Sequence, residues 1–318
     1  MTADGQGKLL IITGSHDSTV DFLLPLLSPS DCIFRLNTDL FLKYRLSFDH
    51  SGFKLADPVG RSCTSQEVHK AFWRWPEWPA KNTEESRYVQ GEVRSLLREI
   101  SNLLWSQGKF VLVEPGAFRR AGKLVQLTRA REFFNVPPFR AVLNLHNAPH
   151  NGAEVVKSLG KCLPDERVIF STRVDPTELA QEYPWFMQRY QEAVFDITVV
   201  FVRKQIFAFE LARDFLSTSI DWREIPDKGD PWKPFELPED VRDKVIGYME
   251  VLHLDFGRLD FLRDKDGELH FCEVNCNPQF AWLDYEGKAG LLSAVLNELS
   301  PKTERHPIPV RHPLALTT

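Results

Sequence analysis

The segment "RLDFLRDKDGELHFCEVN", residues 258–275, contains two carboxylates and an amide, Asp260, Glu273 and Asn275, near the two ends of the segment. Two runs of alternating apolar and polar residues are joined there by an Asp-Gly dipeptide, which is typical of a two-residue β-hairpin turn. With that turn, Asp260 lies directly opposite Glu273, and Asn275 shares their face because side chains alternate along a strand. A three-residue loop with a glycine bulge is equally compatible with the sequence. It would shift the register by one residue and separate the pair.

These side chains could hold a magnesium ion. Opposed carboxylates at a half-buried site repel each other unless one is protonated or a cation lies between them. Mg²⁺ prefers oxygen ligands and completes its shell with water and substrate phosphates, so Asp260, Glu273 and Asn275 suit it. The alternative is an exposed hairpin end with solvated charges and an asparagine cap. A zinc site at Cys272 and Cys276 is disfavoured, since two loosely spaced cysteines make a poor zinc site.

Strands and helices alternate in the first third of the chain, ahead of this hairpin. Buried strands are predicted at residues 8–13, 31–37 and 109–115. Residues 84–107 place apolar side chains at three- and four-residue steps, which predicts an amphipathic helix. The candidate N-caps for a helix after the first strand are Ser15, Asp17 and Ser18. The alternation predicts an α/β unit with a parallel sheet over about residues 1–115.

The remaining two thirds of the chain is predicted to be α+β. Helices are predicted at about residues 121–134, 239–252 and 287–299. Strands are predicted at residues 154–159, 167–174, within 183–211, and in the hairpin. These strands are rich in β-branched and aromatic residues, and most of them follow one another without an intervening helix.

Composition limits the function classes. The chain has 318 residues, of which 43% are hydrophobic and 26% charged, as in a globular protein of two or three packed units. Its net charge of −5 argues against non-specific nucleic-acid binding. No apolar run approaches the roughly 20 residues that span a bilayer, and the first residues lack a signal-peptide layout. Five cysteines without framework spacing indicate a reduced, cytoplasmic setting.

Several segments, taken together, resemble the ATP-grasp ligases, in the version found in the microviridin-type peptide ligases, or graspetide synthetases. "GRLDFLRDKDGELHFCEVNCNPQFAWLD" resembles their metal-binding hairpin, and "IITGSHDST", "FRLNTDLF" and "FWRWP" resemble their N-terminal domain. Between these lie the similar segments "GKLVQLTRAREFFNVPPF", "EVVKSL", "FMQRYQEAVFDITVVFV" and "DWR". The resemblance implies an ATP-grasp fold with an N-terminal α/β pre-ATP-grasp domain at residues 1–115. It implies a central subdomain at residues 116–190 and a C-terminal subdomain with the metal site at residues 191–318.

The resemblance also implies a role for particular residues. The Mg²⁺ ligands would be Asp260, Glu273 and Asn275. ATP would be bound by Lys123, Lys157, Gln188, Arg189, Tyr190 and Asp196. Arg223, in "DWR", would be the catalytic residue at the transferred phosphate, where its fork of donors suits a phosphoryl group. Taken without the resemblance, Lys123 would be a solvated lysine on an amphipathic helix.

The sequence departs from the family pattern at and after the hinge that would hold adenine. Arg189 stands where the family usually has an acidic residue, and Glu192 is a candidate to supply that contact. Thr198 stands where the family usually has an arginine. Arg203 and Arg213 are the candidates to replace that cation.

The implied function is ATP-dependent ligation within a ribosomal precursor peptide. A side-chain carboxylate would attack the γ-phosphate to give an acyl phosphate and ADP, and a Lys amine or a Ser or Thr hydroxyl would then close a lactam or lactone. The resemblance implies a leader segment in the peptide, for which residues 213–236 are the candidate contact, and a homodimer. Two alternatives remain open: an ATP-grasp ligase that joins free amino acids or modifies a protein tail, and a nucleotide-binding scaffold without ligase activity.

Overall fold

A computed structural model describes residues 7–27, 32–77, 84–145, 153–160, 171–213 and 231–300. Over these residues the chain forms four β-sheets with helices packed against them. None of the described helices is both long enough and apolar enough to cross a membrane.

The N-terminal part contains a small parallel sheet. Its strands and helices are β1 (Lys8–Thr13), α1 (Ser18–Leu23), β2 (Ile33–Asn37), β3 (Arg45–Asp49), β4 (Gly52–Ala56), β5 (Ser62–Thr64), β6 (Val68–Trp73) and α2 (Glu84–Ser106). The sheet is parallel, as predicted, but its order β2-β1-β6 includes β6, which was not predicted; Asp17 is the N-cap of α1, accepting from the amides of Thr19 and Val20. The antiparallel sheet β3-β4-β5 was not predicted, although Leu46 and Phe48 alternate with polar residues on the mostly exposed β3.

The strand predicted at residues 109–115 is wrong. Phe110 makes only a single bridge to Ala71, and Leu112 has a φ of 62°. This left-handed conformation turns the chain away from the extended path that a strand requires. Val111, Leu112 and Val113 are nevertheless buried, so their apolar character reflects core packing and not strand pairing.

The middle of the chain forms a four-stranded antiparallel sheet in the order β7-β10-β8-β9. Its elements are α3 (Ala117–Arg120), α4 (Lys123–Ala130), β7 (Phe139–Leu143), β8 (Glu154–Lys157), β9 (Thr172–Val174) and β10 (Pro184–Arg189). The helix predicted at residues 121–134 is thus shorter at both ends. The strand predicted at residues 167–174 is described only at Thr172–Val174, since residues 167–170 lie outside the described ranges.

A five-stranded antiparallel sheet in the order β13-β12-β11-β14-β15 completes the fold. Its elements are β11 (Phe195–Val202), β12 (Gln205–Ala212), β13 (Lys233–Pro234), α5 (Glu239–Val251), β14 (Phe256–Arg263), β15 (Leu269–Asn275) and α6 (Leu291–Leu299). The α+β prediction for this part is confirmed. The last helix begins later than the predicted residue 287.

Both faces of the five-stranded sheet are packed. On one face Val200, Val202 and Phe256 share a core with α6 and with β1 and α1 of the N-terminal part. On the other face Val199 and Phe261 pack with α4 and α5. The sheet is therefore held between the N-terminal part on one face and the helices α4 and α5 on the other.

A buried arginine joins the N-terminal sheet to the segment that follows β15. Arg74, at the end of β6, is 0% exposed, and its guanidinium donates to Asp17 Oδ2 at 3.1 Å. It also donates to Asn277 Oδ1 at 2.6 Å and to the main-chain oxygen of Pro278 at 2.9 Å. Since a buried charge is tolerated only when it is paired and hydrogen-bonded, this network holds the two parts in one arrangement.

Arg74 also helps to lower the pKa of Asp17, which affects the stability of the protein in acid. Burial alone would raise the pKa of Asp17, but the Arg74 guanidinium, the Thr13 hydroxyl and the Val20 amide bring it below its ordinary value of 3.8. A carboxyl whose pKa is lowered by folding stabilises the protein above its unfolded pKa. This contribution is therefore complete above pH 3.8 and is lost as the pH falls further, through the lower folded-state pKa.

We expect Arg74→Leu to lower the free energy of unfolding by about 3–5 kcal/mol, because Asp17 would remain buried without its cation. Urea unfolding at neutral pH measures this change. Lys244→Leu is the control, since it removes an exposed ion pair with Asp240 on α5 and should change stability by less than about 1 kcal/mol. Similar losses in the two variants would contradict the assigned importance of the buried network.

Candidate active site

Asp260 and Glu273 are opposed as predicted, but the predicted two-residue turn is wrong. The loop contains three residues, Lys265 to Gly267, and it is closed by a hydrogen bond from the Asp264 amide to the Glu268 carbonyl at 3.1 Å. Gly267 has a φ of 88°, the left-handed conformation that glycine adopts without strain. The loop is thus the alternative that shifts the register by one residue.

A β-bulge corrects this shift before the site is reached. Near the loop, Phe261 pairs with Phe271, as the three-residue loop requires. The next pair is Asp260 with Glu273, so Cys272 is the extra residue of the bulge. Beyond it Arg258 pairs with Asn275, which leaves Glu273 and Asn275 on one face with Asp260.

Asp260 is held by two neighbours on its own face of the sheet. Arg258 makes a two-point contact, with Nε 3.1 Å from Oδ1 and Nη2 3.0 Å from Oδ2. The Thr198 hydroxyl donates to Oδ1 at 2.7 Å, and Thr198 lies directly opposite Asp260 on β11. The carboxylate is therefore oriented by the protein, and a metal ion would share it with Arg258. Sequence analysis missed Arg258, although its spacing from Asp260 places both side chains on one face.

Two lysines from separate elements approach β15. Lys123, at the first position of α4, has its Nζ 2.6 Å from the Ser158 carbonyl and 3.8 Å from Glu273 Oε2. Lys157, at the end of β8, donates to Gln188 Oε1 at 2.7 Å. The two lysines border one small gap together with Gln126, Leu127, Phe186, Cys272 and Glu273. Cations from the middle of the chain and a carboxylate from the five-stranded sheet thus meet in the same place.

Charges of both signs around Cys272, the bulge residue, act on the pKa of its thiol. Burial raises the pKa of its thiol to about 11; Lys157 opposes this shift, and nearby carboxylates such as Asp260 and Glu273 add to it. A thiol with this pKa is protonated at neutral pH and is a poor metal ligand.

The hinge residues occupy different environments. Gln188 is buried, accepts from Lys157 and donates to the Pro137 carbonyl at 3.3 Å, so its side chain supports the lysine. Arg189 is exposed at the end of β10. Tyr190 lies below the guanidinium of Arg173, whose central carbon is 4.9 Å from the ring centroid.

Of the two candidate replacements for the arginine missing at Thr198, only one lies near the site. Arg213 follows β12, and its Nη2 is 2.9 Å from Oδ1 of the buried Asp196. Asp196 and Thr198 share a face of β11 because they are two residues apart. Arg203 lies in the turn at the opposite end of β11, paired with Glu298 at 3.0 Å. Arg213 is therefore the cation available at this end of the sheet.

The donor set fits a magnesium ion that shares its shell with a ligand. Among the described residues, no three His, Cys, Asp or Glu side chains cluster tightly enough to hold a metal by themselves. Asp260, Glu273 and the amide of Asn275 supply oxygen donors only, and Mg²⁺ commonly takes one or two carboxylates together with water and substrate phosphates. Arg223 and most of the segment 213–236 lie outside the described residues.

We expect Asp260→Asn and Glu273→Gln each to weaken binding of Mn²⁺, a spectroscopic substitute for Mg²⁺, by at least about tenfold in the presence of ADP. Each substitution removes a negative oxygen donor and keeps the side-chain shape. Electron paramagnetic resonance of free Mn²⁺ measures the affinity. Glu268→Gln, an exposed position on the same hairpin next to its loop, is the control and should bind Mn²⁺ like the unaltered chain. Unchanged Mn²⁺ affinity in both site variants would exclude this pair as ligands.

Known structures similar to this one are ATP-grasp ligases. No family model matches the sequence, and no curated protein matches it. An ATP-grasp ligase from Chryseobacterium gregarium, solved with ADP and a leader and core peptide, is 23% identical with a TM-score of 0.77, over 95% of this chain and 100% of that chain. The macrocyclase MdnC from Microcystis aeruginosa, bound to its precursor peptide MdnA, is 20% identical with a TM-score of 0.76, over 92% and 99%. D-alanine–D-alanine ligase from Bacillus anthracis, complexed with ATP, is 15% identical with a TM-score of 0.55, over 92% and 96%. The chain therefore has the ATP-grasp fold that its sequence predicted.

Proposed function

We propose that this chain is an ADP-forming ligase that activates side-chain carboxylates of a ribosomal precursor peptide as acyl phosphates and closes lactone or lactam cross-links. The observation that carries the proposal is the meeting of Lys123 and Lys157 with the opposed pair Asp260 and Glu273. Two of the similar structures, with nearly complete coverage, contain a leader and core peptide or a precursor peptide. Their likeness supports the same class of substrate here.

ATP would lie between the middle sheet and the five-stranded sheet. The lysines Lys123 and Lys157 would neutralise its phosphates from one side, as compact charges suited to polyanions. Bound Mg²⁺, held by Asp260, Glu273 and Asn275, would supply charge neutralisation at the β- and γ-phosphates. The residues we assign to the rest of the nucleotide are Gln188, Arg189, Tyr190 and Asp196. We assign Arg223 to the transferred phosphate.

The reaction needs no covalent nucleophile from the protein. A substrate carboxylate oxygen attacks the γ-phosphorus, the bond to the β-phosphate oxygen breaks, and ADP leaves. An amine or hydroxyl of the same peptide then attacks the acyl carbon, phosphate leaves, and the nucleophile loses its proton. Both steps depend on positioning and on stabilisation of developing negative charge. Arg213 and Arg258 add two guanidinium groups at this end of the sheet.

The further assignments follow from the same proposal. We divide the chain into a pre-ATP-grasp domain at residues 1–115, a central subdomain at 116–190 and a C-terminal subdomain at 191–318. The segment 213–236 is our candidate contact for the leader of the peptide, and we propose a homodimer. We also propose a cytoplasmic setting, for which the five cysteines without framework spacing are the argument.

Incubation of the chain with ATP, Mg²⁺ and a peptide encoded beside its gene should release ADP, and the peptide should lose one water for each bond closed. Enzymatic detection of ADP and mass spectrometry of the peptide measure the two products. Glu273→Gln should abolish both signals, whereas Glu268→Gln should keep both. ADP release with free amino acids and a gain in product mass would favour the ligase of small substrates. Nucleotide binding without turnover would favour a scaffold.

A further inference from the structure

A buried glutamine of α4 binds the outer edge of β15. β15 is the last strand of its sheet, so the amides on its outer edge find acceptors outside the sheet; the Phe271 amide donates to the Asn135 carbonyl at 2.8 Å. Gln126, which is 2% exposed, provides such an acceptor at one position, where its Oε1 accepts from the amide of Val274. Val274 lies between the two proposed ligands Glu273 and Asn275, so this hydrogen bond acts on the strand at the site itself.

Gln126 is itself fixed by the helix and by α5. Its Nε2 donates to the Ala121 carbonyl at 3.1 Å, and its own main-chain oxygen accepts from the Tyr248 hydroxyl at 2.9 Å. Lys123 lies three residues earlier on the same helix, and its Nζ is 3.8 Å from Glu273 Oε2. The glutamine therefore ties the helix that carries a proposed phosphate lysine to the strand that carries the proposed metal ligands.

β15 has a second register available. If the pairing set by the three-residue loop continued without the bulge, Asp260 would oppose Cys272 and Arg258 would oppose Val274. A one-residue slip moves side chains to the other face of the sheet, so Glu273 and Asn275 would turn away from Asp260. With the three-residue loop and the unaltered sequence, Glu273 and Asn275 share the face of Asp260 only in the bulged register.

Gln126 can distinguish the two registers. In an antiparallel sheet the amides of successive residues point alternately toward the partner strand and away from it. In the bulged register the Val274 amide points outward to Gln126. Without the bulge it would point toward β14, and the hydrogen bond with Gln126 would be lost.

We propose that Gln126 is a positioning residue that selects the bulged register of β15 and thereby places Glu273 and Asn275 on the face of Asp260. Its effect on ligand binding rests on the proposed function, since it acts through residues assigned to Mg²⁺. Its effect on the strand does not, because that effect depends only on the hydrogen bond to Val274.

The test uses Gln126→Met, which keeps an unbranched side chain of similar size and removes the strong acceptor. The Val274 amide should exchange its hydrogen faster in this variant, as measured by hydrogen-exchange mass spectrometry of the β15 peptide. The affinity for ADP with Mg²⁺ should fall by about tenfold or more, as for loss of a residue that orients metal ligands. Affinity for ADP without Mg²⁺ should change much less. The control Thr128→Val removes an exposed hydrogen bond on the same helix and should leave all three values unchanged.

A second variant separates register selection from general stability. Deleting Cys272 removes the bulge residue, so the loop alone then places Asp260 opposite Glu273. In that background Gln126→Met should no longer weaken ADP binding in Mg²⁺. Equal weakening in both backgrounds, or an unchanged Val274 exchange rate, would overturn the inference. If the unaltered chain binds no ADP, the proposed nucleotide site is contradicted, and the exchange rate of Val274 decides the inference alone.

Discussion

The buried guanidinium of Arg74 is the contact on which the arrangement of the molecule depends. It lies at the carboxyl end of a parallel sheet, and its acceptors come from two distant parts of the chain. Asp17 is the N-cap of α1 in the N-terminal part, whereas Asn277 lies two residues beyond the end of β15, the strand that carries the proposed metal ligands. A charge without access to water must keep these partners, so the end of β15 cannot shift independently of the N-terminal sheet. The "FWRWP" motif thus has a structural role at the junction of the two parts.

The five-stranded sheet contributes both to the core and to the candidate site because its strands change from apolar to polar residues along their length. On one face of β11, Val202 and Val200 are packed in the core, and Thr198 and Asp196 continue the same row at the site. On β14 the row changes from the apolar Phe256 to the charged Asp260. Burial of the apolar end holds the polar end rigid, which suits a site whose chemistry depends on positioning.

The charges of the site are paired with one another in the protein as it stands. Glu273 faces Lys123, Asp260 binds Arg258, and Asp196 binds Arg213. Bound ATP and Mg²⁺ would allow an exchange of partners, in which cations face phosphates and carboxylates face the metal. Since each ion is already oriented and partly removed from water, such an exchange requires little further ordering. These ion pairs therefore keep the charged side chains in place before any ligand binds.

Local sequence patterns determined much of the secondary structure of this protein. Alternation and periodicity identified the first strand, the long helix α2 and the two strands of the hairpin, because each of these elements buries one regular face. The same alternation correctly placed Asp260, Glu273 and Asn275 together. Only the tertiary structure decided how that register is reached: the loop shifts it, the bulge at Cys272 restores it, and Gln126, far away in sequence, binds the strand beside the bulge. The strand expected at residues 109–115 was wrong for a related reason, since burial there depends on distant partners and not on local pairing. Local sequence can specify a face, but a choice between two locally acceptable registers depends on hydrogen bonds that exist only after the chain has folded.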